Sequence, residues 1–227
     1  MMSGSMNIAS RNLLVSTRVV EETAYVEKRS AIAYEYVEFL ESLGYTLILV
    51  PANTEKAEEY LSLPHVGVIL TGGNTVPPSR NMKSEEEHGI PDGVHPERDR
   101  VERSLIEGAM QVATPVIGIC RGMQFINGFF GGTTSYGIEG HVATKHLLRS
   151  ENPLLKDQSV NSYHGDGIMF DGVSSDLRVI ATTTKLCVEA VYHPDHPILG
   201  LQWHPERQDC PFDRQIIQHF LTTGKLP

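Results

Sequence analysis

The chain has 227 residues, enough for one sizeable core and without a linker or composition shift to divide it, and its formal net charge is -9 at pH 7. That acidity argues against a nucleic-acid partner, which needs a basic face, and no apolar run approaches a membrane span or the layout of a signal peptide. Three irregularly spaced cysteines, Cys120, Cys187 and Cys210, do not describe a disulfide framework and point to a reducing, cytoplasmic compartment. Residues 1–11 read as a disordered leader, and 12–227 as a single domain.

Leu13 to Thr17 reads as a buried strand followed by a polar stretch, Arg18 to Arg29, at its carboxyl end. Ligands of open α/β sheets bind outside the carboxyl ends of strands, so Arg18 is a candidate for holding an anionic substrate group. Ser30 reads as an N-cap of a helix with Ile32, Tyr36, Phe39, Leu40 and Leu43 on one face, stopped by Gly44. A second strand, Thr46 to Val50, and a short helix, Glu55 to Leu61, lead to a third strand, Val66 to Leu70, which ends in Thr71-Gly72-Gly73-Asn74. A glycine pair at a strand end lets backbone N–H groups approach a ligand closely. From Val76 to Glu97 runs a segment rich in Pro, Gly, Glu and His, long enough to be expected as an active-site flap. Arg80 within it is a second candidate for an anionic group. A helix follows from Arg98, with Val101, Leu105 and Ala109 on its apolar side.

At Val116-Ile117-Gly118-Ile119-Cys120-Arg121-Gly122-Met123-Gln124 a β-branched run arrives at a cysteine and then changes to a helical period. That is the pattern of a nucleophile elbow, whose flanking glycines avoid collisions with neighbouring backbone. The helix start offers unpaired N–H groups, that of Arg121 first, to a developing oxyanion. Tyr136 to Arg149 reads as irregular structure with short strands, and His141 and His146 as structural or surface groups. Leu177 to Thr182, Val188 to Tyr192 and Ile198 to Gln202 read as strands, and Phe212 to Leu221 as a final helix. No Cys and His pairing recurs with ligand spacing, so neither metal nor organic cofactor is expected; His193-Pro194-Asp195-His196 comes nearest. The order of elements predicts an α/β fold: a mainly parallel central sheet with helices on both faces, flavodoxin-like, plus an antiparallel extension.

Gly200-Leu201-Gln202-Trp203-His204-Pro205-Glu206 supplies what Cys120 lacks. A cysteine nucleophile needs a base, and the base needs an acceptor on its other ring nitrogen; His204 and Glu206 offer both.

The chain resembles the class I glutamine amidotransferase-like family, and within it the free-standing γ-glutamyl hydrolases. The resemblance rests on the elbow, on Thr71-Gly72-Gly73-Asn74, on Val160-Asn161-Ser162-Tyr163-His164-Gly165 and on Gln202-Trp203-His204-Pro205-Glu206, in the family's order. It implies a second oxyanion donor at the backbone of Gly73, and a wall for the glutamyl moiety built from Gln124, Tyr163 and His164. It implies that Arg98, Asp99 and Glu102 organise the wall near the elbow. At Pro77-Pro78-Ser79-Arg80 the flap departs from the family, where an aromatic is common. The implied activity is hydrolysis of a small γ-glutamyl conjugate through a thioester, with no cofactor; the amine half stays open between a polyamine-derived amino acid, an ethanolamide and an anionic nucleotide-linked nitrogen (a γ-glutamyl phosphoramidate) of the kind met in capsule modification. A homo-oligomer stays open. So do two other readings: a glutaminase subunit delivering ammonia to a separate synthetase, and a non-catalytic binding protein on the same fold.

Overall fold

Alternation within the buried strands decides which face each side chain serves. In β1 (Asn12–Ser16), Leu13 and Val15 join one apolar cluster and Leu14 joins another. Both faces of the strand are apolar, so the sheet requires cover on both sides. The computed structural model describes residues 11–77, 93–183, 187–208 and 210–227.

Strand β1 pairs in parallel with β4 (Thr46–Val50) on one side and β5 (Gly67–Leu70) on the other. The parallel run continues through β6 (Val116–Ile119) to β12 (Ile198–Leu201). Beyond β12 the direction reverses: β11 (Cys187–Tyr192) is antiparallel to it, and β10 (Arg178–Thr182) and β9 (Ile168–Met169) are antiparallel to β11. Helices α1 (Tyr34–Ser42) and α5 (Pro211–Thr223) pack on the face of Leu13 and Val15. On the opposite face lie α2 (Ala57–Leu61), α3 (Pro96–Gln111) and α4 (Arg121–Phe129). This is the mainly parallel α/β sheet with an antiparallel extension that the element order predicts. No described helix is long and apolar enough to cross a membrane.

Two hairpins stand apart from this sheet: β2 (Arg18–Glu22) with β3 (Glu27–Ala31), and β7 (Val142–Leu147) with β8 (Ser159–Tyr163). The first forms from the polar stretch Arg18 to Arg29, for which no strand was expected. Most of its positions are charged, and Glu21 stands opposite Lys28 with an ion pair at 3.2 Å between them, so apolar periodicity carries little trace of the ribbon. Ser30 is likewise no N-cap. It lies in β3, where its hydroxyl accepts the Ala52 N–H at 3.0 Å, and α1 begins after Ala33 without a side-chain cap. Arg80, most of the expected flap and nearly all of the expected leader lie outside the described residues.

Candidate active site

Strand β6 ends where α4 begins, and Cys120 occupies the corner with φ 54° and ψ -108°. A non-glycine residue held there costs roughly 1–3 kcal/mol, a strain that a tightly packed surround must hold. The surround is visible at the flanking glycines. A Cβ on Gly118 would stand 2.5 Å from the Gly122 carbonyl, and one on Gly122 would stand 2.2 Å from the Leu70 carbonyl oxygen. The corner is pinned by the Cys120 N–H, which donates to Leu201 O at 2.7 Å.

Strand β12 lies beside β6 in parallel, with Leu201 opposite Ile119, so the residues after both strand ends emerge side by side. His204 is thereby carried to Cys120. Its Nδ1 lies 2.6 Å from Glu206 Oε1, which leaves Nε2 for the thiol side. Asn161, in β8, fixes the histidine backbone: its Nδ2 donates to His204 O at 2.7 Å, and its Oδ1 accepts from His204 N at 2.9 Å. Burial opposes the imidazolium, but Cys120 and Glu206 outweigh it and hold His204 up at about 10. All three groups are nearly buried, at 7 % exposure for Cys120, 4 % for His204 and 7 % for Glu206.

The Thr71–Asn74 turn closes the site from β5. The Gly72 N–H is spent on the Tyr36 hydroxyl at 2.9 Å, whereas the N–H groups of Gly73 and Arg121 donate to nothing among the described residues. Gly73 has φ +81°, and the Arg18 guanidinium packs against it. Arg98, fully buried, shapes the turn by donating to Thr71 O and Gly73 O, both at 2.6 Å, and to Glu102 at 2.9 Å. Glu102 also accepts from Ser16 at 2.8 Å and pairs with the Arg121 side chain, which reaches Asp99 too. These charged groups brace the wall, as the resemblance implies, and Arg121 offers the cleft its backbone.

These elements, with β2 and the end of β8, line a cleft of ≈ 220 Å³ with Cys120, His204, Gly73, Arg18, Gln124, Tyr163 and His164. Every described candidate is therefore at one site. Gln124 is tied by its Nε2 to Asp166 O at 2.8 Å, and Tyr163 stands edge-on to His204 with ring centroids 6.0 Å apart.

Residues 14–206 match the peptidase C26 family. The chain belongs to that family. Peptidase C26 proteins are amide hydrolases of the class I glutamine amidotransferase-like type, as the sequence resemblance implies. The glutamine amidotransferase-like protein YvdE of Lactococcus lactis subsp. lactis is 30% identical over 206 residues, 82% of this chain and 85% of the relative. The γ-glutamyl-CDP-amidate hydrolase of Campylobacter jejuni is 26% identical over 213 residues, 93% of this chain and 98% of the relative. Among solved structures, a glutamine amidotransferase from Thermotoga maritima superposes with a TM-score of 0.58 at 18% identity. It covers 86% of this chain, and this chain covers 76% of it. A Thermoplasma acidophilum protein of the GMP synthase type superposes with a TM-score of 0.67 at 21% identity, over 95% of this chain and 94% of its own. Both likenesses concern the fold.

Several residues of this peptidase C26 site escaped the sequence reading. Tyr36 reads as one more apolar position on a helix face, yet its hydroxyl holds the turn; burial first, then the Glu206 charge, keeps that hydroxyl protonated well above its ordinary range. Arg207 lies over the Tyr163 ring at 4.8 Å and lines the cleft beside Arg18. Behind His164, the side chains of His141, His146 and Glu189 gather. Glu189 was findable, as a carboxylate inside the apolar run Val188-Glu189-Ala190-Val191; burial pushes it up to about 8. The segment His193-Pro194-Asp195-His196 forms no comparable gathering among the described residues. There the His193 Nδ1 accepts backbone N–H groups of Asp195 and His196, at 3.0 and 3.1 Å.

Proposed function

We propose that this chain is a cysteine hydrolase that cleaves the γ-glutamyl amide bond of a small conjugate, without a synthetase partner, and releases glutamate and an amine. The reading is carried by the 2.6 Å contact of His204 Nδ1 with Glu206, formed beside a cysteine on a strained corner. His204, held up at about 10, takes the proton from Cys120, and the sulfur attacks the γ-carbonyl. The carbonyl oxygen takes up negative charge against the N–H groups of Gly73 and Arg121. His204 gives its proton to the departing amine, leaving a thioester on Cys120, and then takes a proton from the water that releases glutamate. Glu206 holds the ring orientation through both steps. Gln124 and Tyr163 serve the glutamyl moiety from the cleft wall, and His164, with its Nδ1 against the Asp166 carbonyl and its Nε2 buried, backs that wall. A reducing cytoplasm would keep Cys120 as the thiol that this chemistry needs.

For the amine half we propose an anionic, nucleotide-linked group. Two guanidinium side chains, Arg18 and Arg207, line the same cleft, and the Campylobacter jejuni relative carries the name of a γ-glutamyl-CDP-amidate hydrolase. The test is glutamate release from glutamine, neutral γ-glutamyl amines, γ-glutamyl amino acids and γ-glutamyl phosphoramidates, each against Cys120→Ala. Cys120-dependent release led by the phosphoramidates is expected. Release from glutamine alone, rising when a partner is added, would identify an ammonia-delivering subunit instead. Lack of both turnover and labelling by a glutamine-like electrophile would identify a binding protein.

A further inference from the structure

Three imidazoles and a carboxylate converge behind the cleft, between the β7–β8 hairpin and the main sheet. His141 precedes β7, His146 lies in it, His164 follows β8 and Glu189 lies in β11. One ligand-type atom from each stands within 4.8 Å of all the others. The His141 ring lies 4.2 Å from that of His146 and 4.8 Å from that of His164, centroid to centroid. Ligand atoms bound at about 2.1 Å to a tetrahedral ion stand roughly 3.4 Å apart, so small side-chain rotations complete the set.

Two observations distinguish this from a chance packing of histidines. Glu189 has no exposed surface, and neither of its carboxylate oxygens has a hydrogen-bond partner among the described residues. A carboxylate is costly in such a place unless a cation meets it. His164, 4 % exposed, has its Nδ1 2.9 Å from the Asp166 carbonyl, which takes the Nδ1 proton. The lone pair is then on Nε2, which is buried without a partner. A carbonyl on the far nitrogen is how metal-binding histidines are oriented.

We propose that His141, His146, His164 and Glu189 bind one divalent ion of the Zn²⁺ class, tying the β7–β8 hairpin to β11. Three imidazoles with one carboxylate suit such borderline ions. Four protein ligands leave a tetrahedral ion no open position, so its role is structural. The hairpin it secures carries Asn161, which fixes the His204 backbone, and Tyr163 of the cleft wall. The ion thus steadies the base from a distance and takes no part in the chemistry.

The test needs no turnover, so it is independent of the hydrolase reading. The full chain is made as Cys120→Ala, to keep the Cys120–His204 pair from trapping metal, then stripped with chelator and dialysed against Zn²⁺ alone. One zinc per chain is expected by elemental mass spectrometry, with Tm raised by roughly 5–10 °C at a hundred times Kd. Adding Glu189→Gln or His146→Ala should weaken uptake by roughly 100-fold or more and abolish the Tm rise. His146 is only partly buried, so its variant carries the comparison if Glu189→Gln fails to fold. No uptake by the folded parent, or equal uptake by a folded variant, would overturn the proposal.

Discussion

Cys120, His204 and Glu206 each stand next to residues that explain them locally: glycines around a corner, an apolar strand before a histidine, a carboxylate two places on. That is why a linear reading finds them. Cys120→Ala is expected to lower kcat by at least roughly 10⁴-fold with the fold intact, measured by glutamate release and circular dichroism. Glu206→Gln should cost roughly 10²–10⁴-fold at neutral pH. Its sign in the pH profile follows from His204, whose folded value of about 10 lies above the ordinary 6.5. Acylation needs the proton on the imidazole, so kcat/KM is expected to hold through neutrality and fall as pH rises through about 10. Glu206 is one of the charges that raise His204, so Glu206→Gln should move this alkaline limb downward, and an unmoved limb would contradict the assigned pair. Tyr36 was not legible at this scale, because an aromatic at helical spacing looks the same whether its hydroxyl holds a turn or idles.

At the scale of elements, the elbow depends on how closely β6, α4 and β5 approach. Gly122→Ala would drive a Cβ to 2.2 Å from the Leu70 carbonyl oxygen, backbone that cannot step aside. A loss of roughly 2–4 kcal/mol is expected in urea denaturation. Gly128→Ala on the same helix meets nothing within 4 Å and should be neutral or stabilising by up to about 1 kcal/mol. Asn161→Ala removes both hydrogen bonds that hold the His204 backbone. As a positioning residue it should lower kcat by roughly 10–100-fold while KM changes little, and Asn161→Asp, which keeps the acceptor for His204 N, should recover part of that loss. The buried strands were legible because apolar, β-branched runs have little else to become. The β2–β3 ribbon was not, since its strands carry charges at most positions and leave the chain looking like a polar loop.

Across the whole molecule, the strand order brings the site together. Cys120 and His204 lie far apart in the chain and meet because β12 inserts beside β6, while β5, on the other flank of β6, supplies the glycine turn. Arg98 links these layers from below, and Arg98→Met would leave the turn carbonyls and a fully buried Glu102 short of a cation. A loss of about 3–5 kcal/mol is expected, read by chemical denaturation, together with weakened turnover as the Gly73 donor loses its support. The amino-acid sequence by itself determined the α/β class, the cysteine corner, the histidine with a carboxylate two places on, and the family resemblance, because each is written in neighbouring residues as spacing, period or turn chemistry. Only the tertiary structure decided that Gly72 spends its N–H on Tyr36 while Gly73 keeps its own, that Arg18 and Arg207 share one cleft, and that His141, His146, His164 and Glu189 meet. Those are contacts between distant parts of the chain, and a hydrogen bond or ligand set depends on separation in space, to which separation in sequence is no guide.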